Sequence, residues 1–128
     1  MATHDLTDTY QAYIACLNVQ DWPALGDFVH EDAYHNDRPF GLAGYREMLE
    51  NDFRQIPDLQ FNILSLVADA SHIAARLGFD CSPQGEFLGL AVNGKRVSFT
   101  ENVFYQFRDG KIARVWSIVD KAAIEAQL

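Results

Sequence analysis

Apolar positions recur along this chain with two different periods, and the change from one to the other divides it in two. In the first half Tyr10, Tyr13, Ile14 and Leu17 stand three or four residues apart, with Thr7 or Asp8 placed to accept from the free N–H groups of a first turn. That spacing predicts a helix. Asp21-Trp22-Pro23 then supplies a cap and an early proline, so Ala24 to Val29 reads as a second, short helix folded back as a hairpin on the first. Tyr34 to Asp37, followed by Pro39 and Gly41, fits a short extended piece and a turn. Leu42, Tyr45, Leu49, Phe53 and Ile56 alternate with Arg46, Glu47, Glu50 and Asn51, which predicts a third, amphipathic helix stopped at Pro57.

From Leu59 onward the period becomes two. Phe61, Ile63, Ser65 and Val67 form one strand pattern, and Ile73, Ala75, Leu77 and Phe79 form another after the turn at Asp69-Ala70-Ser71. An irregular stretch with Pro83, Gly85, Gly89 and Asn93-Gly94 precedes a long strand pattern from Lys95 to Phe107. Asp109-Gly110 then marks a tight hairpin into Lys111 to Asp120. Helices followed by strands give an α+β class: a curled antiparallel sheet with three N-terminal helices over its concave face, residues 1–128 forming one domain. Several strands are apolar on both faces, so the sheet should be covered on its second side too. A homodimer is expected.

Composition narrows the function. The formal net charge of −8 disfavours nucleic acid and anionic membrane surfaces, both of which are held through Lys and Arg. No apolar run reaches the roughly 20 residues of a membrane span, and MATHDLTDTY lacks the regions of a signal peptide, so a cytoplasmic protein is expected. Cys16 and Cys81 are far apart and have no metal-ligand spacing, and His4, His30 and His72 form no metal constellation. A small hydrophobic molecule is the expected partner.

A two-residue turn at Asp109-Gly110 pairs Tyr105 with Arg114, Val103 with Trp116, Glu101 with Ile118 and Phe99 with Asp120, unless a bulge shifts the register. Side-chain alternation then gathers Glu101, Tyr105, Trp116 and Asp120 on one surface, which Arg76 on the neighbouring strand joins if the faces coincide. Desolvation among aromatics raises a carboxyl pKa toward the range useful for proton transfer, and Asp120, ending an apolar strand, is the leading candidate. It also reads as a solvated Asp paired with Lys121. Arg76 needs an anion in its apolar strand, either substrate or a carboxylate such as Glu101 or Asp80. His35 reads equally as a cavity residue or a structural imidazole. Tyr10, Tyr13, Trp22 and Tyr45 suit the wall of a pocket for a flat ligand, or ordinary core.

Tyr13 to Asn18 with Asp21-Trp22, Gly41-Leu42-Ala43-Gly44-Tyr45, Ile56-Pro57-Asp58-Leu59 and Ala75-Arg76 carry a further signal. It continues through Gly85 to Leu90, Asn93 to Val97, Asp109 to Ile112, Trp116 and Asp120. In this order they resemble the SnoaL-like polyketide cyclases, or ester cyclases, of the superfamily sharing the nuclear transport factor 2 fold. The resemblance implies a cofactor-free, metal-free enzyme that performs intramolecular aldol chemistry on a polyketide-like ester. It implies Asp120 as general acid/base and Trp116 in the pocket wall. Proton abstraction next to a carbonyl also needs a donor for the enolate oxygen, and Arg76 or Tyr105 is the candidate. A binding or dimerisation module on the same cone is the alternative, since this fold carries many functions.

Overall fold

The computed structural model describes residues 6–128. Helix α1 (Leu6–Asn18) buries Leu6, Tyr10, Tyr13, Ile14 and Leu17, the stripe its spacing predicts. A 3₁₀ helix (Trp22–Asp27) follows, then strand β1 (Val29–His35) and helix α2 (Gly41–Gln55). Strands β2 (Asn62–Ala68) and β3 (His72–Cys81) precede two short strands, β4 (Glu86–Phe87) and β5 (Leu90–Ala91). The long hairpin β6 (Val97–Arg108) and β7 (Lys111–Val119) leads into a last short helix, α3 (Lys121–Glu125). No helix among the described residues is long and apolar enough to cross a membrane.

The main sheet has the order β1-β7-β6-β3-β2 and curls without closing. The β2–β3, β3–β6 and β6–β7 pairings are antiparallel, whereas β1 joins β7 in parallel, with Val29 beside Ile112 and His35 beside Val115. Register shifts interrupt the β2–β3 and β6–β7 ladders, irregularities of the kind that bend a strand. The inner face carries Ile73, Leu77, Phe79, Phe99, Val103 and Tyr105, all buried under the helices. Asn18 ties α1 to the start of β2: its side chain donates to the Phe61 carbonyl (3.0 Å) and accepts from the Phe61 N–H (2.7 Å).

Three local expectations are corrected. The second helix is a short 3₁₀ turn that ends before Val29, because Val29 enters β1 and the Ile112 N–H donates to the Phe28 carbonyl (2.7 Å). That pairing is long-range, and no local pattern announces it. The irregular stretch contains a small hairpin whose turn, Leu88-Gly89, has φ of 53° and 77°, the two positive values of a type I′ turn. The chain also continues past β7 into α3. Asp109-Gly110 behaves as expected, with φ of 55° and 75°.

The remaining correction reaches the site. Beyond the turn, Phe107 pairs with Ile112, but the next partners are Gln106 with Arg114 and Tyr105 with Val115 where the two-residue turn predicts Tyr105 with Arg114. Ala113 is an extra residue, a β-bulge, and it reverses the parity of the rest of β7. Trp116 now lies opposite Phe104 on the outer face, and Ser117 lies opposite Val103 on the inner one.

Candidate active site

Between the helices and the concave face of the sheet lies a cavity of about 450 Å³, a size typical of small-molecule sites. Its walls come from α1, α2, the inner faces of β6 and β7, the end of β1 and the β4–β5 hairpin. Aromatic and aliphatic side chains dominate, and they surround a few polar groups: Asp52, Glu101, Ser117, His35, Asn36 and the hydroxyls of Tyr13, Tyr45 and Tyr105.

Glu101 points inward because it shares the parity of Phe99, Val103 and Tyr105 on β6. Its carboxylate accepts a hydrogen bond from the Ser117 hydroxyl on β7. Enclosure by protein raises its pKa, and the Ser117 bond opposes that only in part. Ser117 is itself fixed by Asn36, whose amide oxygen accepts from the Ser117 N–H (2.8 Å) and whose amide nitrogen donates to the Ser117 carbonyl (3.3 Å).

Asp52 comes from the inward side of α2. Burial, and after it the nearby Glu101 charge, push its carboxyl up to about 7. Two carboxyl groups in one apolar enclosure resist simultaneous ionisation, and the charge on Glu101 therefore favours the protonated form of Asp52. Above them the tyrosines form two hydroxyl contacts, Tyr13 with Tyr45 at 2.6 Å and Tyr10 donating to Tyr105 at 3.1 Å. Burial keeps all four phenols well above their ordinary pKa and therefore neutral donors.

His35 closes one side of the cavity. Its ring stacks on Phe40 (centroids 5.8 Å apart, planes 2° apart) and meets Tyr45 edge-on at 6.2 Å. Desolvation, then the charge of Arg38, lowers its pKa and favours the neutral imidazole.

Of the residues singled out in the sequence, Tyr13, His35, Tyr45, Glu101 and Tyr105 line the cavity. Tyr10 is fully buried behind the wall, where it touches the lining residues Tyr105 and Tyr13. Trp22 packs edge-on against Phe53 instead of lining the cavity. Arg76 is on the exposed face of β3, beside Asn102, and pairs with neither Glu101 nor Asp80; Asp80 takes Arg96 and Ser98 instead. Trp116, turned outward by the Ala113 bulge, donates its indole N–H to Asp37 (3.3 Å). Asp120 is exposed and outside the cavity lining, and its carboxylate accepts from the Ala123 N–H (3.1 Å) as the N-cap of α3. The placement of Trp116, Arg76 and Asp120 on one inner surface is therefore corrected.

Asp52 and Ser117 were not anticipated. Asp52 had a visible signal: it interrupts the stripe Tyr45, Met48, Leu49, Ile56 at helical spacing, where a carboxyl has no structural reason to be. Ser117 had none, because only the bulge brings it inward.

The carboxyl pair makes stability depend on pH. Asp52 and Glu101 keep their protons to higher pH in the folded chain than in the unfolded one, so from about pH 4 to pH 7 the folded state binds more protons and loses stability as pH rises. His35 acts oppositely, since its depressed pKa costs stability as pH falls below its ordinary value. Asp52→Asn should therefore melt higher than wild type at pH 8, with the advantage shrinking toward pH 4. Melting curves across this range check it, and a variant less stable at pH 8 would contradict the assignment.

Among the described residues no group of three or more His, Cys, Asp or Glu side chains is gathered for a metal ion. Among curated proteins no relative matches the chain. Solved structures do. A SnoaL-like polyketide cyclase from Agrobacterium tumefaciens str. C58 is 55% identical over 99% of this chain and 98% of its own, with a TM-score of 0.95. IdmH from Streptomyces antibioticus (21% identity, 97% and 98% covered, TM-score 0.83) and TsrD from Streptomyces laurentii (22%, 99% and 96%, 0.83) share the fold. The family profile described as SnoaL-like polyketide cyclase matches residues 7–128, and with it the chain belongs to the SnoaL-like polyketide cyclase family.

Proposed function

We propose that this protein is a cyclase-type enzyme that uses acid/base chemistry on a small hydrophobic carbonyl or ester substrate, with Glu101 in the role that the sequence suggested for Asp120. The observation carrying this reading is the pair Glu101 and Asp52, two carboxyl groups of raised pKa facing one aromatic cavity. In the ionised form Glu101 removes a proton from the carbon next to the substrate carbonyl. The hydroxyls of Tyr45 and Tyr105 donate to the resulting enolate oxygen. The enolate carbon attacks a second carbonyl of the same molecule, forming one C–C bond, and the new alkoxide takes a proton from the protonated carboxyl of the pair.

The reading is tested by following deuterium incorporation next to the ketone of methyl 4-oxo-4-phenylbutanoate in D2O by NMR. Catalysed exchange above buffer is expected. Binding of this ester without any exchange would favour a non-catalytic binding module instead.

We also propose a homodimer formed through the outer face of the sheet. Val67, Ala74, Phe104 and Trp116 are register neighbours across β2, β3, β6 and β7, and they form one apolar row with Ile118 beside it. Phe104 and Ile118 are 62% and 74% exposed, a costly surface for a lone protomer. Sedimentation should give a dimer at micromolar concentration and a monomer for Phe104→Glu; a monomeric wild type would contradict this. A reducing cytoplasm suits Cys16 and Cys81, which are buried free thiols.

A further inference from the structure

The cavity is polar in a directional way. Its interior carries two carboxyl groups and neutral phenols, so a substrate anion is excluded from the interior by desolvation and by charge. Of the Lys and Arg side chains, one reaches the wall: Lys121. It follows β7 directly, two residues beyond Val119, the register partner of Glu101.

Several observations set Lys121 apart from an ordinary surface lysine. Its neighbour Asp120 is engaged as the cap of α3 and does not neutralise it. Among the described residues the Lys121 ammonium has no ion pair and no side-chain hydrogen bond, and neither Glu101 nor Asp52 takes it as a partner. Its position at the start of a helix is the end where a cation gains nothing from the helix dipole. The ammonium rests against the β4–β5 hairpin, where a Cβ built on Gly89 would lie 4.0 Å from Nζ. Phe87 and Leu88 of that hairpin border the same part of the cavity. A cation is thus held over an apolar mouth and left unneutralised.

We infer that Lys121 is an anion subsite at the cavity mouth, and that the substrate is an amphipathic carbonyl compound bearing a carboxylate at the end remote from the reacting carbonyl. The substrate's orientation rests on the assignment of Glu101 and Asp52 to the carbonyl end; the subsite itself does not. An apolar body fills the aromatic interior, the ketone or ester faces Glu101, and the carboxylate stays at the rim beside Lys121. In this geometry the same lysine rejects substrates with a cationic tail.

Calorimetric titration of the wild type with 4-oxo-4-phenylbutanoate and with its methyl ester tests the subsite without requiring turnover. The carboxylate should bind roughly fivefold more tightly than the ester, the scale of a partly solvated charge pair, and the preference should shrink as salt is raised. Lys121→Met keeps the aliphatic stem and should abolish the preference while leaving ester affinity unchanged; Lys121→Arg should retain it. Equal binding of the two ligands by wild type, no binding of either, or equal weakening of both by Lys121→Met would overturn the inference. A carboxylate preference that persists in a wild type showing no α-hydrogen exchange would remove the acid/base reading and leave the subsite standing.

Discussion

Glu101→Gln should lower the rate of α-hydrogen exchange by roughly 10²–10⁴-fold, the usual contribution of a positioned acid/base, while the protein remains folded. The amide keeps the shape of the side chain and can still accept from the Ser117 hydroxyl. What it loses is the ability to take a proton. It also removes the charge that raises Asp52, so the Asp52 carboxyl should titrate at lower pH in this variant. Asp120→Ala should behave in the opposite way. It deletes the bond from the Ala123 N–H and costs about 1 kcal/mol of stability, typical of an N-cap, with the rate per folded molecule unchanged. Exchange rates and melting temperatures measured on both variants separate the two carboxylates. A large rate loss in Asp120→Ala beside a small one in Glu101→Gln would invert the assignment.

Deleting Ala113 should keep the faces of β7 as they are. Ala113 is the residue without a partner on β6, so its removal makes Ile112 and Arg114 consecutive, and they still meet Phe107 and Gln106 in an unbroken ladder. Val115 and Ser117 stay inward, and Arg114 and Trp116 stay outward. The opposite arrangement, with Ala113 kept and the ladder unbroken, would turn Arg114 and Trp116 inward; an unpaired guanidinium in that interior costs several kcal/mol, and displacing Val115 from the core adds to it. Against a total stability of about 5–15 kcal/mol for a domain, those losses exclude it. The deletion variant should therefore melt cooperatively by circular dichroism and still bind the ester. An insoluble product, or one without a cooperative melt, would show that the fold itself requires the bulge at Ala113.

The same residue marks where sequence reasoning stopped. Periodicity located α1, α2 and the long strands because each is amphipathic on its own, and Asp109-Gly110 located the last hairpin because two successive positive φ values demand such a pair. Glu101 and Tyr105 were assigned to one inward face correctly, since β6 runs without a bulge alongside β3. On β7 one unannounced residue exchanged inner for outer, which sent Trp116 to the surface and brought Ser117 to Glu101. Strand β1 was missed in part because its partner lies some 80 positions away in sequence, with Val29 beside Ile112, and a parallel pairing leaves no local mark. Both its place at the end of an apolar strand and the family resemblance point to Asp120, whereas the carboxyls that interrupt apolar stripes, Asp52 on α2 and Glu101 on β6, are the ones that face the cavity.

A crystal structure of Glu101→Gln with methyl 4-oxo-4-phenylbutanoate bound places the reacting carbon relative to every candidate base. The account predicts the carbon next to the ketone roughly 3–3.5 Å from the side chain of residue 101, the separation of a near-attack geometry, with the ketone oxygen within hydrogen-bond reach of Tyr45 or Tyr105. A ligand seated with that carbon against Asp120, or outside the cavity between α2 and the sheet, would contradict it.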